Sequence, residues 1–374
     1  MRRSEGRILT SHTGSVFVPP GNDHAPSAVT WEHGEVKQAV RAIVDKQVEV
    51  GLDVINDGDI QVGLSLVESF HRVFDGVEKR PDDAERRSPR GLPDEDMEIF
   101  AEYYERHPWV PPQVDLGVYV CTGPLAARAP DLLDRAVTTF REVAEGKKMT
   151  DLFMCFISPG WLQEFIWNDH YASEEHFVFA LAEAVKPYYR AIVDAGLVLQ
   201  IDAPDIVDNW SWSRWSDVGA YRKKVEMRLE AISNAITGLP EERVRLHFCW
   251  GSWAGPHSVA LPLEKVLDLV YRVPAQCYSI EAAKPNHTHE WRAFQEFPLP
   301  DGKIVMPGVI DHTTAVLEHP QVVADRMAAY AKVVGKENVI AGTDCGMRID
   351  SRVEWAKLER MVQGAELASK ELFG

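Results

Sequence analysis

Basic residues are in short supply in this chain: 40 Lys and Arg stand against 57 Asp and Glu, for a formal charge of -17. No cationic cluster rises out of that field, which excludes the phosphate binding on which nucleic-acid proteins rely. Long apolar runs are missing as well, none approaching the roughly 20 residues that a membrane-spanning helix needs. The opening stretch, MRRSEGRILTSHTGS, has no apolar core of the signal-peptide kind. A cytoplasmic protein without nucleic-acid or membrane partners is expected; oligomeric state is not legible. Cysteine is sparse, with Cys121, Cys155, Cys249, Cys277 and Cys345 scattered over 374 residues, too few for a disulfide framework. In a reducing compartment each cysteine is either core or chemistry. Cys121, Cys155 and Cys277 lie within apolar runs and read as core, whereas Cys249 and Cys345 adjoin glycine-bearing turns. Also lacking is a G-x-G-x-x-G loop after the first strand-like run, which argues against a dinucleotide-binding open sheet.

What is present is a rhythm of short β-rich runs separated by helical periodicity. Strand-like runs fall at 8–15, 54–59, 118–123, 152–158, 197–204, 244–250, 277–283, 304–311 and 339–346. Helical patterns, with apolar residues at three- and four-residue intervals, fill 36–50, 174–194, 220–236, 321–334 and 352–367. Alternation of this kind specifies a parallel α/β architecture. A (β/α)8 TIM barrel takes eight strands, and of the nine candidates the run at 118–123 is the one to set outside it. It follows a charged, proline-rich stretch, 77–115, which breaks the rhythm and reads as a surface insertion, with a cover over the active site as a further option. The expectation is a single barrel domain over 1–374.

In a barrel enzyme the chemistry sits at the carboxyl ends of the strands, and here those ends carry reactive side chains repeatedly. In order they are His12 and Ser15, Asp57 and Asp59, Asp202 and Asp205, His247 and Cys249, Glu281, Asp311 and His312, and Asp344 and Cys345. His247 and Cys249 are two apart on a strand, so imidazole and thiol leave the backbone on one face. Zinc prefers Cys sulfur and His nitrogen in a tetrahedral shell, and a set of four ligands is available in His247, Cys249, Glu281 and Cys345. Glu281 sits in the apolar run YSIEAA, where a carboxylate is costly to bury without a cation opposite it. Ligands this far apart in sequence rule out a zinc finger and suit a site assembled by the barrel. Trp210, Trp212, Trp215, Trp250 and Trp253 follow strand ends and either stack on a flat donor molecule or pack the rim.

Together these residues resemble the catalytic barrel of cobalamin-independent methionine synthase and its relatives. That family carries a His-x-Cys strand end, a Glu in an Ile-Glu strand and a final Asp-Cys-Gly, matched here by His247-Phe248-Cys249, Ile280-Glu281 and Asp344-Cys345-Gly346. Gly14-Ser15, Asp57-Gly58-Asp59 and Ile201-Asp202 match further positions in the same order. The resemblance implies zinc on His247, Cys249, Cys345 and Glu281, with Glu281 able to yield when a thiol arrives. It also implies that Asp59 and Asp202 hold the amino group of homocysteine, that Ser15 contributes to its carboxylate, and that His312, beside Asp311, protonates the leaving group. Two departures stand out: Ala203 follows Asp202 where the family usually has an acid, and Asp59 is one methylene shorter than the usual Glu. The reaction so implied is methyl transfer from a 5-methyltetrahydrofolate-type donor to homocysteine or a related thiol. Single-barrel relatives that add coenzyme M to epoxides supply a second reading, and a zinc-stabilised metabolite-binding barrel a third.

Overall fold

Eight parallel strands pair in the order Leu9–Thr10, Ile340–Thr343, Ile304–Ile310, Cys277–Ile280, Val244–Phe248, Val198–Asp202, Asp151–Ile157 and Val54–Ile55, and a parallel bridge between Ser11 and Val54 joins the first to the last. The sheet therefore closes into the expected (β/α)8 TIM barrel. The structure, a computed structural model, describes the chain apart from residues 21–32, 62–69, 81–93, 108–117, 129, 213–214, 253 and 348. The barrel strands are β1 (Leu9–Thr10), β2 (Val54–Ile55), β5 (Asp151–Ile157), β7 (Val198–Asp202), β8 (Val244–Phe248), β9 (Cys277–Ile280), β10 (Ile304–Ile310) and β11 (Ile340–Thr343). The three others, β3 (Phe74–Arg80), β4 (Val118–Ala127) and β6 (Ile166–Asn168), form a separate small sheet in which β3 runs antiparallel to β4. The run at 118–123 thus lies outside the barrel, within β4. Among the described residues, no helix is long and apolar enough to cross a membrane.

Residue parity on each strand decides which side a side chain takes, as the two-residue period of a strand requires. On β10, Val305 and Val309 join the large core between strands and helices, while Ile304 and Met306 join a small cluster with Leu9, Cys277 and Ile340. On β5, Met154 and Phe156 face the helices, while Phe153 and Cys155 meet Val54 and Val198 inside. β8 follows the same rule. Val244, Leu246 and Phe248 belong to the outer core, which leaves Arg245, His247 and Cys249 on the inner face. The barrel is thus plugged by apolar side chains at its amino end and becomes polar toward its carboxyl end.

Arg245 marks the change. Its guanidinium lies 4.0 Å from the centroid of the Phe153 ring and donates to Ser11 Oγ at 3.1 Å, so a cation is held in the interior by an aromatic face and a hydroxyl. The surrounding helices are capped locally. Ser173 Oγ accepts from His176 N at the start of Glu174–Asp194, and Asp350 accepts from Arg352 N and Val353 N at the start of Ser351–Phe373. That last helix crosses Pro320–Val334 so closely that a Cβ on Gly364 would stand 2.4 Å from Val323 Cβ. Within 77–115 the described residues include the short helices Asp94–Ile99 and Ala101–Arg106. Asp96, fully buried, accepts from Ser258 N at 2.9 Å and from Tyr104 Oη at 2.8 Å, and so ties this segment to the loop after β8.

His12, at the end of β1, is buried and hydrogen-bonds Gln47 Oε1 through Nε2 at 2.8 Å. Burial pulls its pKa down from 6.5 to about 4. The unfolded chain therefore binds a proton that the folded chain refuses between those values, so stability is kept above pH 6.5 and lost as pH falls toward 4. The loss attributable to His12 is on the order of 3 kcal/mol. His12→Gln should flatten that part of the pH dependence in thermal or denaturant unfolding; an unchanged slope would show that His12 is not its source.

Candidate metal centre

Strands β7, β8 and β9 are in register at their carboxyl ends, Asp202 beside His247 and His247 beside Ser279. That register puts the imidazole between a carboxylate and a hydroxyl. His247 Nδ1 is 3.1 Å from Ser279 Oγ, which in turn lies 3.4 Å from Thr13 Oγ1. With Nδ1 engaged, Nε2 is buried and has no hydrogen-bond partner among the described residues. A buried ring nitrogen held from behind is how proteins present a histidine to a metal.

Cys249, carried just past β8, and Cys345, carried just past β11, bring their sulfurs to 3.5 Å of one another. Both are free thiols, and the separation is far beyond the roughly 2.05 Å of a disulfide. Two sulfurs each about 2.3 Å from a tetrahedral zinc would stand about 3.8 Å apart, so the observed spacing fits a shared ion. His247, Cys249 and Cys345 present ligand atoms all within 4.8 Å of one another. The electrostatics agree. The S–H of Cys249 pointing at Cys345 holds the Cys345 thiol well below its usual pKa despite burial, with His247 and His312 adding to the effect. The same contact, followed by burial, pushes Cys249 up. Burial alone would depress His247, but Cys345 and Asp202 outweigh it and leave its pKa raised. Without a further cation one sulfur must keep its proton; a divalent ion removes that restriction.

Glu281, expected as the fourth ligand, does not join this set. It is fully buried and groups with His312 and Asp344 instead. Its Oε1 is 2.7 Å from Lys284 Nζ and its Oε2 accepts from Trp250 N at 2.8 Å. Burial acts to raise its pKa, yet Lys284 prevails and keeps it lowered. Asp344 accepts from the backbone N–H groups of Ala282, Ala283 and Lys284 at 2.7, 2.7 and 2.9 Å, clasping the end of β11 to the end of β9. Room for that carboxylate exists because Gly308 has no side chain; a Cβ there would lie 1.9 Å from Asp344 Oδ1. Lys284 and Ser279 were not singled out from sequence, and Asp344 was named only at its strand end and in the Asp-Cys-Gly match, without a role of its own. A lysine three places beyond a strand-end glutamate and an alternating serine were the only signals.

The other expected residues surround the sulfur set. Ser15 adjoins Gly346, where a Cβ would meet Ser15 Oγ at 2.4 Å. Asp59 takes a left-handed backbone (φ 57°), a conformation that Asp tolerates better than most residues. A Cβ on Gly14 would stand 4.0 Å from Asp59 Oδ2 and 3.6 Å from Cys155 Sγ. Gln200 Nε2 donates to Cys155 Sγ at 3.3 Å and to Asp202 Oδ1 at 2.7 Å, so Asp59 and Asp202 flank one corner of the mouth. Burial raises the Asp202 pKa to about 6, against the pull of His247 and Gln200. His312 is buried with neither ring nitrogen hydrogen-bonded among the described residues, and burial keeps its pKa below the usual value. Asp311 caps the turn through Thr313 N at 2.8 Å and Thr313 Oγ1 at 2.7 Å.

Trp210, Trp215 and Trp250 pack against neighbouring rings. Trp210 and Trp215 set their edges against the buried Tyr221 ring at 5.4 and 5.3 Å. Trp250 is buried against His287 and donates to Leu261 O at 2.7 Å. Trp253 falls outside the described residues.

A closed parallel barrel with two thiols and an imidazole converging at its carboxyl mouth defines a class, that of barrels whose strand ends offer a set of metal-ligating side chains. The family described as "Cobalamin-independent synthase, Catalytic domain" matches residues 161–367, and the chain belongs to it. Among curated relatives, methionine synthase of Sulfolobus acidocaldarius is 24% identical over 341 residues, covering 89% of this chain and 82% of the relative. That of Thermococcus kodakarensis is 24% identical over 259 residues, covering 66% and 65%. That of Sulfurisphaera tokodaii is 25% identical over 224 residues, covering 59% and 58%. The match therefore spans less than two thirds of the length of the last two. The structure of a B12-independent methionine synthase from Shewanella sp. W3-18-1, in complex with selenomethionine, superposes with a TM-score of 0.71 at 19% identity over 98% of this chain and 99% of that one, a likeness of fold.

Ser279→Ala should loosen the orientation of His247 and weaken zinc binding by about 10- to 100-fold with the fold retained, measured by competition with a chromophoric chelator. Equal affinity in variant and parent would show that Ser279 does not position the imidazole.

Proposed function

We propose that the protein is a zinc-dependent thiol alkyltransferase that moves a methyl group from a 5-methyltetrahydrofolate-type donor to homocysteine or a closely related thiol. The observation that carries this reading is the convergence of His247, Cys249 and Cys345 on one point of the barrel mouth, with Asp202 alongside. The relatives named above are called methionine synthases, and selenomethionine is the selenium analogue of a methylated homocysteine. Addition of a thiol to an epoxide gains no support from those names.

The chemical difficulty is that a free alkyl thiol is largely protonated near neutral pH, while only its thiolate attacks carbon. Zinc, when held by His247, Cys249 and Cys345, supplies the Lewis acidity that keeps an incoming thiol deprotonated. The protein's own part is placement. Asp202 and Asp59 offer carboxylates to the ammonium of the thiol amino acid, and Ser15 offers a hydroxyl to its carboxylate. His312 faces the same space as a neutral imidazole, able to donate an N–H to the departing group and, as negative charge gathers at Cys345 and Glu281, to carry a proton to it. We further propose that residues 1–374 act as one barrel domain, with 77–115 as an insertion held against the loop after β8.

Purified zinc protein given methylated folate and homocysteine should consume thiol and form methionine in equal amounts. No methionine from any folate chain length would overturn the assignment. Asp202→Asn should raise the homocysteine KM by about 10- to 100-fold, the worth of one charge-assisted hydrogen bond, with less effect on kcat. In the parent enzyme kcat/KM for homocysteine should fall as pH drops through about 6, where Asp202 takes up its proton and loses its hold on the ammonium. Asp202→Asn should lack that limb; its persistence in the variant would assign it to another group.

A further inference from the structure

We infer that Lys357 and Glu318 are positioning residues that hold His312 at the barrel mouth by clasping the segment 311–318 that carries it. The inference rests on the reading of His312 as proton donor proposed above. This segment leads from β10 toward the helix Pro320–Val334 and has no regular secondary structure. No hydrogen bond among the described residues fixes the His312 ring, so its placement falls to the backbone and to packing. On one side Asp311 N donates to Glu318 Oε1 at 2.9 Å, which ties the start of the segment to its end. On the other, Thr313 N and Thr313 Oγ1 both donate to Asp311 Oδ1. His312 therefore stands between two pinned residues.

Lys357 anchors that closure to the last helix, Ser351–Phe373. Its Nζ donates to Val316 O at 2.5 Å and to Glu318 Oε1 at 3.2 Å, and lies 3.0 Å from Glu318 Oε2. One carboxylate oxygen thus accepts from both Asp311 N and the ammonium. The Lys357 side chain is fully buried and that of Glu318 is 8% exposed, while Trp355, Leu358 and Met361 nearby on the helix belong to the core. Lysine is almost never fully buried unless paired, and apolar residues of similar volume often serve stability as well as a buried ion pair does. What the pair adds is definition, through polar contacts at both ends of the segment that apolar side chains could not make. Burial cannot replace them at the tip, where Val316 and Leu317 are 69% and 43% exposed.

The test compares the full-length zinc protein with the double variant Lys357→Met, Glu318→Leu, which removes both charges and leaves neither uncompensated. With methylated folate and homocysteine, kcat should fall on the order of tenfold through misplacement of the imidazole. The homocysteine KM and the zinc affinity should stay within about twofold of the parent, whereas general loss of structure would move all three. Added to His312→Gln, the same pair of substitutions should cost less than about twofold further, because the clasp acts through that ring. Hydrogen exchange read by mass spectrometry should be faster by on the order of tenfold over 311–319 and unchanged around His247. The milder neutral pair Lys357→Met, Glu318→Gln should lose at least about threefold in kcat by the same criteria, and it decides the matter if the first pair does not fold. A variant as active as the parent, or an equal loss with and without His312, would overturn the inference and leave the proposed reaction standing. A parent that forms no methionine would overturn both.

Discussion

Two sulfurs held 3.5 Å apart in a buried barrel mouth form an arrangement whose protons and charge must be settled locally. Either one thiol keeps its proton and donates it to the other, or a positive ion neutralises both. The rest of the mouth is arranged around that constraint. Ser279 steadies His247 from behind, Asp344 ties the Cys345 strand to the Glu281 strand, and Gly308 gives up its side chain to let Asp344 in.

Charge below and beside the site is handled differently. Arg245 is shielded by the Phe153 ring and Ser11, two residues beneath His247 on the same strand. Glu281 is answered by Lys284 within the protein itself. Asp202 accepts a hydrogen bond from the Gln200 amide, and burial draws its pKa up to about 6. A carboxylate that bears such a desolvation cost would be stabilised by any cation brought beside it.

Much of this was legible in the chain because β8 writes its own geometry. In Val244-Arg245-Leu246-His247-Phe248-Cys249 the apolar residues alternate with the reactive ones, so the inner face can be read without coordinates. The eight barrel strands were legible for a related reason, each being an apolar run cut off by a polar turn. Of the small sheet only β4 was, as the run at 118–123 set outside the barrel. β3 reads Phe-Asp-Gly-Val-Glu-Lys-Arg, more charged than a strand usually is, and β6 has three residues; both exist because β4 offers partners distant in sequence. The orientation of Glu281 was equally hidden. Its burial in an apolar run pointed to a metal ion opposite, whereas the cation the structure sets beside it is the Lys284 ammonium three residues on, and the direction of a side chain beyond a strand end follows from loop geometry that no periodicity encodes.

X-ray absorption at the zinc edge, recorded on the purified protein before and after adding homocysteine, tests the central claim most directly. The account predicts a first shell with two sulfurs and one nitrogen from protein, rising to three sulfurs with the thiol present. A shell lacking sulfur, or one that homocysteine leaves unchanged, would contradict it.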